Sequence, residues 1–224
     1  MQSAPKVPRL DLEALKRKLD ERFCEGFSKL SDIPNPSLLL NAPKAAKRIA
    51  DAVRNNERIT LVGDYDVDGV TSTALTTLFF RELGYPLDVI IPNRFIDGYG
   101  VSPTVLERVE ADLVFTVDNG INAFGAAEVC RARGIDLIIT DHHTPSDMLP
   151  DVYTIVDPKL SDDTYPFKEI CGAEVAWLVL VLVKKELSLD INMAQYLPLL
   201  ALAVVADVMP LIGINRAIVQ HGLN

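Results

Sequence analysis

The feature that most restricts the fold is a beat of short apolar runs that lead into aspartates. ITLVG precedes Asp64, DLVFTV precedes Asp118, IDLIIT precedes Asp141 and VYTIV precedes Asp157, with LDVIIP lying between the first two. Helical stretches near Thr71 to Gly84, Pro103 to Glu110 and Ala123 to Gly134 separate them. Strands that alternate with helices build a parallel sheet, since a parallel neighbour is reached only through a crossover long enough to hold a helix. The expected class is α/β, a parallel sheet with helices on both faces. Leu12, Leu15, Leu19, Phe23 and Phe27 recur at helical spacing before it, and a second helix is expected over Ala42 to Asn55. Residues 1–57 therefore read as a helical N-terminal extension and 58–224 as the main domain. Two apolar helical stretches, Ala173 to Leu187 and Asn192 to Ala206, end the chain.

With 224 residues, 49% of them hydrophobic, the chain can bury a core of its own. Its longest apolar runs, Val175 to Val183 and Tyr196 to Ala206, fall short of the ~18 to 20 residues of a membrane span. Met1 to Leu10 has no apolar segment that could serve as a signal peptide, so a cytoplasmic protein without membrane attachment is expected. Cys24, Cys130 and Cys171 are widely spaced and odd in number, which suggests neither a disulfide framework nor a zinc site. The net charge of −9 is uneven: residues 1–57 hold 11 Lys and Arg against 8 acids, and the remainder 11 against 23. An acidic body argues against a protein that coats nucleic acid by charge alone. It leaves room for an enzyme whose carboxylates are covered by metal ions.

In an open parallel sheet the ligand site lies at the carboxyl ends of the strands, and the aspartates follow that rule. In LVGDYDVDGVTST, an extended backbone would project Asp64, Asp66 and Asp68 to one side. Strand-end carboxylates that converge without a cation repel one another strongly. An EF-hand loop is excluded because its twelfth position, which needs Glu, is Leu75. A haloacid-dehalogenase-like phosphatase fits Asp66 to Val70, with Asp66 as nucleophile and Asp68 as acid/base, but its later elements match only loosely at Thr116, Lys159 and Asp162-Asp163. It also leaves TDHH (140–143) unexplained. Two of the three histidines stand there directly after Asp141, and imidazole beside carboxylates suits a two-metal phosphoester site.

The order D-x-D-x-D-G, V-D-N-G, D-H-H resembles the DHH phosphoesterase superfamily. Within it, PNRFIDGYGVSP (92–103), TVDNGI (116–121), CGAEVAW (171–177) and VVADVMPL (204–211) followed by Asn215-Arg216 resemble the RecJ single-stranded-DNA exonucleases over about residues 30–222. The resemblance implies a hydrolase that digests single-stranded DNA from the 5′ end to mononucleotides in recombination and repair, with two divalent ions, Mn2+ or alternatively Mg2+. It implies Asp66, Asp68, Asp118, His142 and Asp207 as ligands, Asp118 bridging, and in-line attack by an activated water without a covalent enzyme intermediate. Asp64 would be a ligand or orienter, Asp141 would fix the His142 ring, and His143 would face the scissile phosphate. Arg94 and Arg216 would hold DNA phosphates, and single-strand-binding protein is an implied partner. Asp207 ends an almost wholly apolar stretch, where an unpaired carboxylate would be expensive to bury, and this independently favours a bound cation.

Two positions depart from the family pattern. Asp157 stands where Asn is usual and reads as a turn residue before Pro158; Glu174 stands where a small residue is expected. Trp177 reads as core. The family continues into a Gly-His-rich domain and an OB-fold domain, so a chain that stops at Asn224 reads as a fragment. Alternatives are a DHH phosphatase on short oligonucleotides or small nucleotides, a family II type pyrophosphatase, or a non-catalytic replication-scaffold relative.

Overall fold

The computed structural model describes residues 11–22 and 29–223. Met1 to Leu10, Cys24 and the Phe23 and Phe27 end of the first expected helix lie outside the described residues. Helix α1 (Leu12–Arg22) exposes its leucines, whereas α2 (Ala42–Arg54) buries Ala42, Ala45, Ala46, Ile49, Ala50 and Ala52. Small residues on that face let α2 lie close to the main body, so part of the 1–57 segment shares the larger core. Asn56, in the left-handed conformation, ends the helix and turns the chain into the sheet.

Five strands pair in parallel in the order β2-β1-β3-β4-β5: β1 (Ile59–Val62), β2 (Asp88–Ile90), β3 (Leu113–Val117), β4 (Asp136–Thr140) and β5 (Thr154–Val156). The order follows from two crossovers in opposite senses. The chain leaves β1 through α3 (Val67–Glu82) to the edge strand β2, then returns past β1 through α4 (Pro103–Leu106) to β3. Right-handed crossovers that run in opposite directions place their helices on opposite faces. Two buried clusters result. Ile59, Leu61, Leu113 and Phe115 pack with α2, α3, α6 (Gly172–Glu186) and α7 (Leu197–Ala206); Val62, Val114, Leu137 and Ile139 pack with α4 and α5 (Phe124–Arg133).

Three local departures bear on the site. Helix α3 begins at Val67, earlier than its apolar pattern indicates, because the Asp66 side chain caps it by accepting the Gly69 N–H at 2.9 Å. Asp64, Asp66 and Asp68 are therefore not an extended ladder: they belong to a loop, a helix cap and a first helical turn. The last apolar stretch divides into a 3-10 turn, Met193–Tyr196, and α7, with Pro198 in the first turn of α7. A further helix, α8 (Gly213–Gly222), then packs along α7. Among the described residues no helix is long and apolar enough to cross a membrane. Trp177 is in the core, its Nε1 donating to the Met193 carbonyl at 3.0 Å, and Cys130 and Cys171 are buried free thiols.

Phe115 is fully buried on the central strand, so Phe115→Ala should destabilise the chain by about 3–5 kcal/mol in urea unfolding. Leu12→Ala, on exposed α1, should change stability by less than about 0.5 kcal/mol.

Candidate metal centre

The reversal of strand order lies between β1 and β3, and a crevice opens there at the carboxyl ends of the strands. Asp64 follows β1 and Asp118 follows β3; both are fully buried. Gly69 lets the first turn of α3 pack against Asp64, since a Cβ there would come within 2.5 Å of the Asp64 Cβ. Asp118 has φ 61°, a left-handed conformation that aspartate tolerates better than most residues and that turns its carboxylate into the crevice. Asn119 clips the edges together. It donates to the carbonyls of Val62 (3.1 Å) and Val117 (2.8 Å) and accepts the Val101 N–H (2.9 Å).

Asp68 is buried in the first turn of α3. Its oxygens accept the N–H groups of Gly172 (2.6 Å) and Ala173 (2.9 Å) at the start of α6. The α6 turn also presses on Asp118, where a Cβ on Gly172 would meet Oδ1 at 2.5 Å. His142 Nε2 faces three carboxylates, at 3.3 Å from Asp118, 3.6 Å from Asp68 and 3.7 Å from Asp207, which caps the carboxyl end of α7. Ligand atoms of Asp118, His142 and His143, of Asp68, His142 and Asp207, and of Asp64, Asp66 and Asp118 form three groups, each within 4.8 Å. The structure thus brings together every residue that the resemblance offers as a ligand.

Burial pushes the Asp118 pKa up to about 11, with the charges of Asp68, Asp66, Asp141 and Asp64 adding to it. Both Asp118 oxygens are buried without a hydrogen-bond partner. Burial also raises Asp68 and Asp64 and lowers His142. Asp141 behaves differently. Burial alone would raise it, but the bond from His143 and the N–H groups of Ile121 and His143 hold it below the usual range. Its Oδ1 also takes the His142 N–H at 2.8 Å.

The pairing corrects one expectation. Asp141 holds the ring of His143, with Nδ1 at 2.7 Å, and meets His142 only through its backbone N–H. The His142 ring turns instead into the crevice, and its Nδ1 is buried without a partner. The Asp141 bond raises the His143 pKa, and this ring is 44% exposed. Exposed Arg94 lies over the Tyr65 ring at 5.7 Å; Tyr65 meets Tyr99 edge-on, and Tyr99 meets His143 edge-on. Arg216 is half-buried on α8. Asp157 accepts the Lys159 N–H at 2.7 Å, as a turn residue does, yet its other oxygen is buried without a partner. Burial raises its pKa to about 7. Asn119 and Tyr99 escape a reading of residue types, because their roles depend on contacts with distant segments.

A profile of the DHH family, N-terminal domain, matches residues 58–204. The chain belongs to the DHH family. The single-stranded-DNA-specific exonuclease RecJ of Escherichia coli (strain K12) is 40% identical over 200 residues, which are 83% of this chain and 35% of that protein. The DHH chain thus spans about a third of that relative's length. A crystal structure of exonuclease RecJ bound to manganese superposes with a TM-score of 0.74 at 38% identity, covering 83% of this chain and 48% of the other. RecJ in complex with Mn2+ from Thermus thermophilus gives 0.71 at 36% identity, covering 86% and 28%.

Asp157 sets a test on this DHH domain. The folded chain keeps the Asp157 proton up to pH about 7, whereas the unfolded chain releases it near pH ~4. Between these values the folded state binds more protons, so stability falls as pH rises, and the loss is complete above about 7. Asp157→Asn should lose this contribution: urea unfolding in EDTA should show the variant gaining on the parent from pH 4 to pH 7. A constant difference across that range would count against a buried neutral Asp157.

Proposed function

We propose that the chain is the catalytic portion of a metal-dependent exonuclease that digests single-stranded DNA from its 5′ end to mononucleotides in the cytoplasm, in recombination and repair. The observation that carries this reading is Asp118: two buried, unpartnered oxygens that face an imidazole and lie among other carboxylates. A bare charge there is unfavourable, and a cation relieves it. Carboxylate oxygens with one imidazole fit Mn2+ or Mg2+ better than a soft-metal site. The manganese-bound RecJ neighbours support the same assignment.

Asp66, Asp68, Asp118, His142 and Asp207 would hold two ions; Asp118 and His142 each belong to two of the three ligand groups. When bound, such ions polarise a water and the phosphoryl oxygens. The chain's own residues supply the rest. The two amides of α6 orient Asp68, so the carboxylate need not reorganise when a substrate arrives. Asp141 holds His143 through Nδ1, which raises the pKa of the ring and leaves Nε2 as the outward donor. That nitrogen would face the scissile phosphate or protonate the leaving oxygen. Asp64, bound to the Tyr65 N–H at 2.8 Å, would orient a ligand or be one. Arg94 and Arg216 would take strand phosphates, Arg94 being open to solvent above Tyr65. Single-strand-binding protein is the protein partner that the RecJ resemblance suggests. For the phosphoaspartate alternative, Asp66 is poorly prepared, since one oxygen is engaged as the cap of α3.

The test is release of nucleotides from end-labelled single-stranded DNA with Mn2+, alongside metal content. Asp118→Ala and His142→Ala should each lower release by at least about 100-fold and reduce bound Mn2+, while Arg94→Ala should mainly raise KM. Unchanged hydrolysis and metal content in Asp118→Ala would sink the reading.

A further inference from the structure

Glu174 lies in the first turn of α6, 1% exposed and surrounded by the larger core. One oxygen, Oε2, accepts the Cys171 N–H at 2.9 Å; Oε1 is buried with no hydrogen-bond partner. Cys171 is the residue before α6, so this bond closes the helix start from within, as one half of a capping box. The next two N–H groups, of Gly172 and Ala173, are those that clamp the two oxygens of Asp68. The same turn is pressed against Asp118 at Gly172. Three consecutive amides of one turn are therefore shared between a buried carboxyl in the core and a carboxylate in the crevice.

We infer that Glu174 is a positioning residue for the metal centre: by tying down the Cys171 N–H it fixes the α6 turn whose amides aim Asp68 at the metal. The inference rests on the reading of Asp68 as a ligand. Without the Glu174 acceptor, the Cys171 N–H has to seek another partner, and the turn shifts with it. Asp68 then loses the geometry of its clamp, although no group that touches the metal has changed. The length of the side chain matters as well as its oxygen, because the carboxyl must reach back over one turn.

Two variants isolate the acceptor at constant length. Glu174→Gln keeps length and acceptor; Glu174→Met keeps length and apolar volume but removes the acceptor. The probe is Mn2+ alone, its free concentration followed by electron paramagnetic resonance as it is titrated into the 224-residue chain well below the melting temperature. E174M should weaken Mn2+ binding about 10- to 100-fold, with E174Q within about threefold of the parent. In an Asp68→Asn background, E174M should weaken it by less than about twofold more, which a general loss of packing would not reproduce. Parental affinity in E174M, an equal loss in E174Q, an undiminished loss in the Asp68→Asn background, or an E174M chain unfolded at the assay temperature would each overturn the positioning role. Parental Mn2+ affinity in Asp68→Asn alone would instead remove Asp68 as a ligand, and the inference with it.

Discussion

Carboxylates crowd the carboxyl end of this sheet, and most of the surrounding backbone is arranged to tolerate them. Asp66 takes an amide of α3, and Asp68 takes two from α6. Asp141 takes the amides of Ile121, His142 and His143 and the His143 ring. Helix amino ends carry partial positive charge as well as free N–H groups, so two helices that start here do the work that side-chain cations would do elsewhere. Asp118 receives no such donor. Backbone amides thus engage Asp66, Asp68 and Asp141 and leave both oxygens of Asp118 without a donor; on the proposed reading, the centre would be held in shape before a metal binds.

The sheet order makes that arrangement possible. Because β2 and β3 leave β1 on opposite sides, the segments after β1 and β3 diverge and leave space between them. Asn119 prevents the gap from spreading by hydrogen-bonding the ends of both strands and the loop that carries Val101. Helix α6, apolar on nearly every side, is buried through its first half, so its start is anchored by core packing rather than by the crevice. A carboxylate clamped by such a helix inherits its rigidity.

Much of this is legible along the chain, and the limit is physical. The strands announce themselves as apolar runs, and the aspartates at their ends mark the crevice because parallel sheets bind at that edge. Whether Asp68 is strand or helix is not legible, since D-x-D-G suits an extended loop as well as a helix cap; its partners, Gly172 and Ala173, are over a hundred residues away. The choice of His143 over His142 as the partner of Asp141 is equally invisible, because adjacent histidines differ only in which side of the loop each ring takes. Helix α8 is masked by Pro210 and Gly213, which punctuate the sequence where the chain turns to pack on α7. Glu174 is conspicuous as an acid in an apolar run, but only the structure shows its oxygen facing the Cys171 amide.

The acidic balance of the chain then takes on a definite meaning. A phosphate that approaches this crevice meets carboxylates first, and at about 4 Å each unit charge repels with roughly 1 kcal/mol in water and several times more where water is excluded. Among the described residues the basic groups near it are local: His143, whose pKa Asp141 raises, Lys159, whose charge acts on His143, and Arg94, seated over Tyr65 at the far end of a row of rings that runs through Tyr99. They can orient a strand but do not cancel the field of the carboxylates. On the proposed reading, metal occupancy therefore precedes productive entry of the strand: the ions that polarise the phosphate also admit it. On that reading, DNA would approach closely and be hydrolysed in the metal-loaded form, where cations cover the carboxylates.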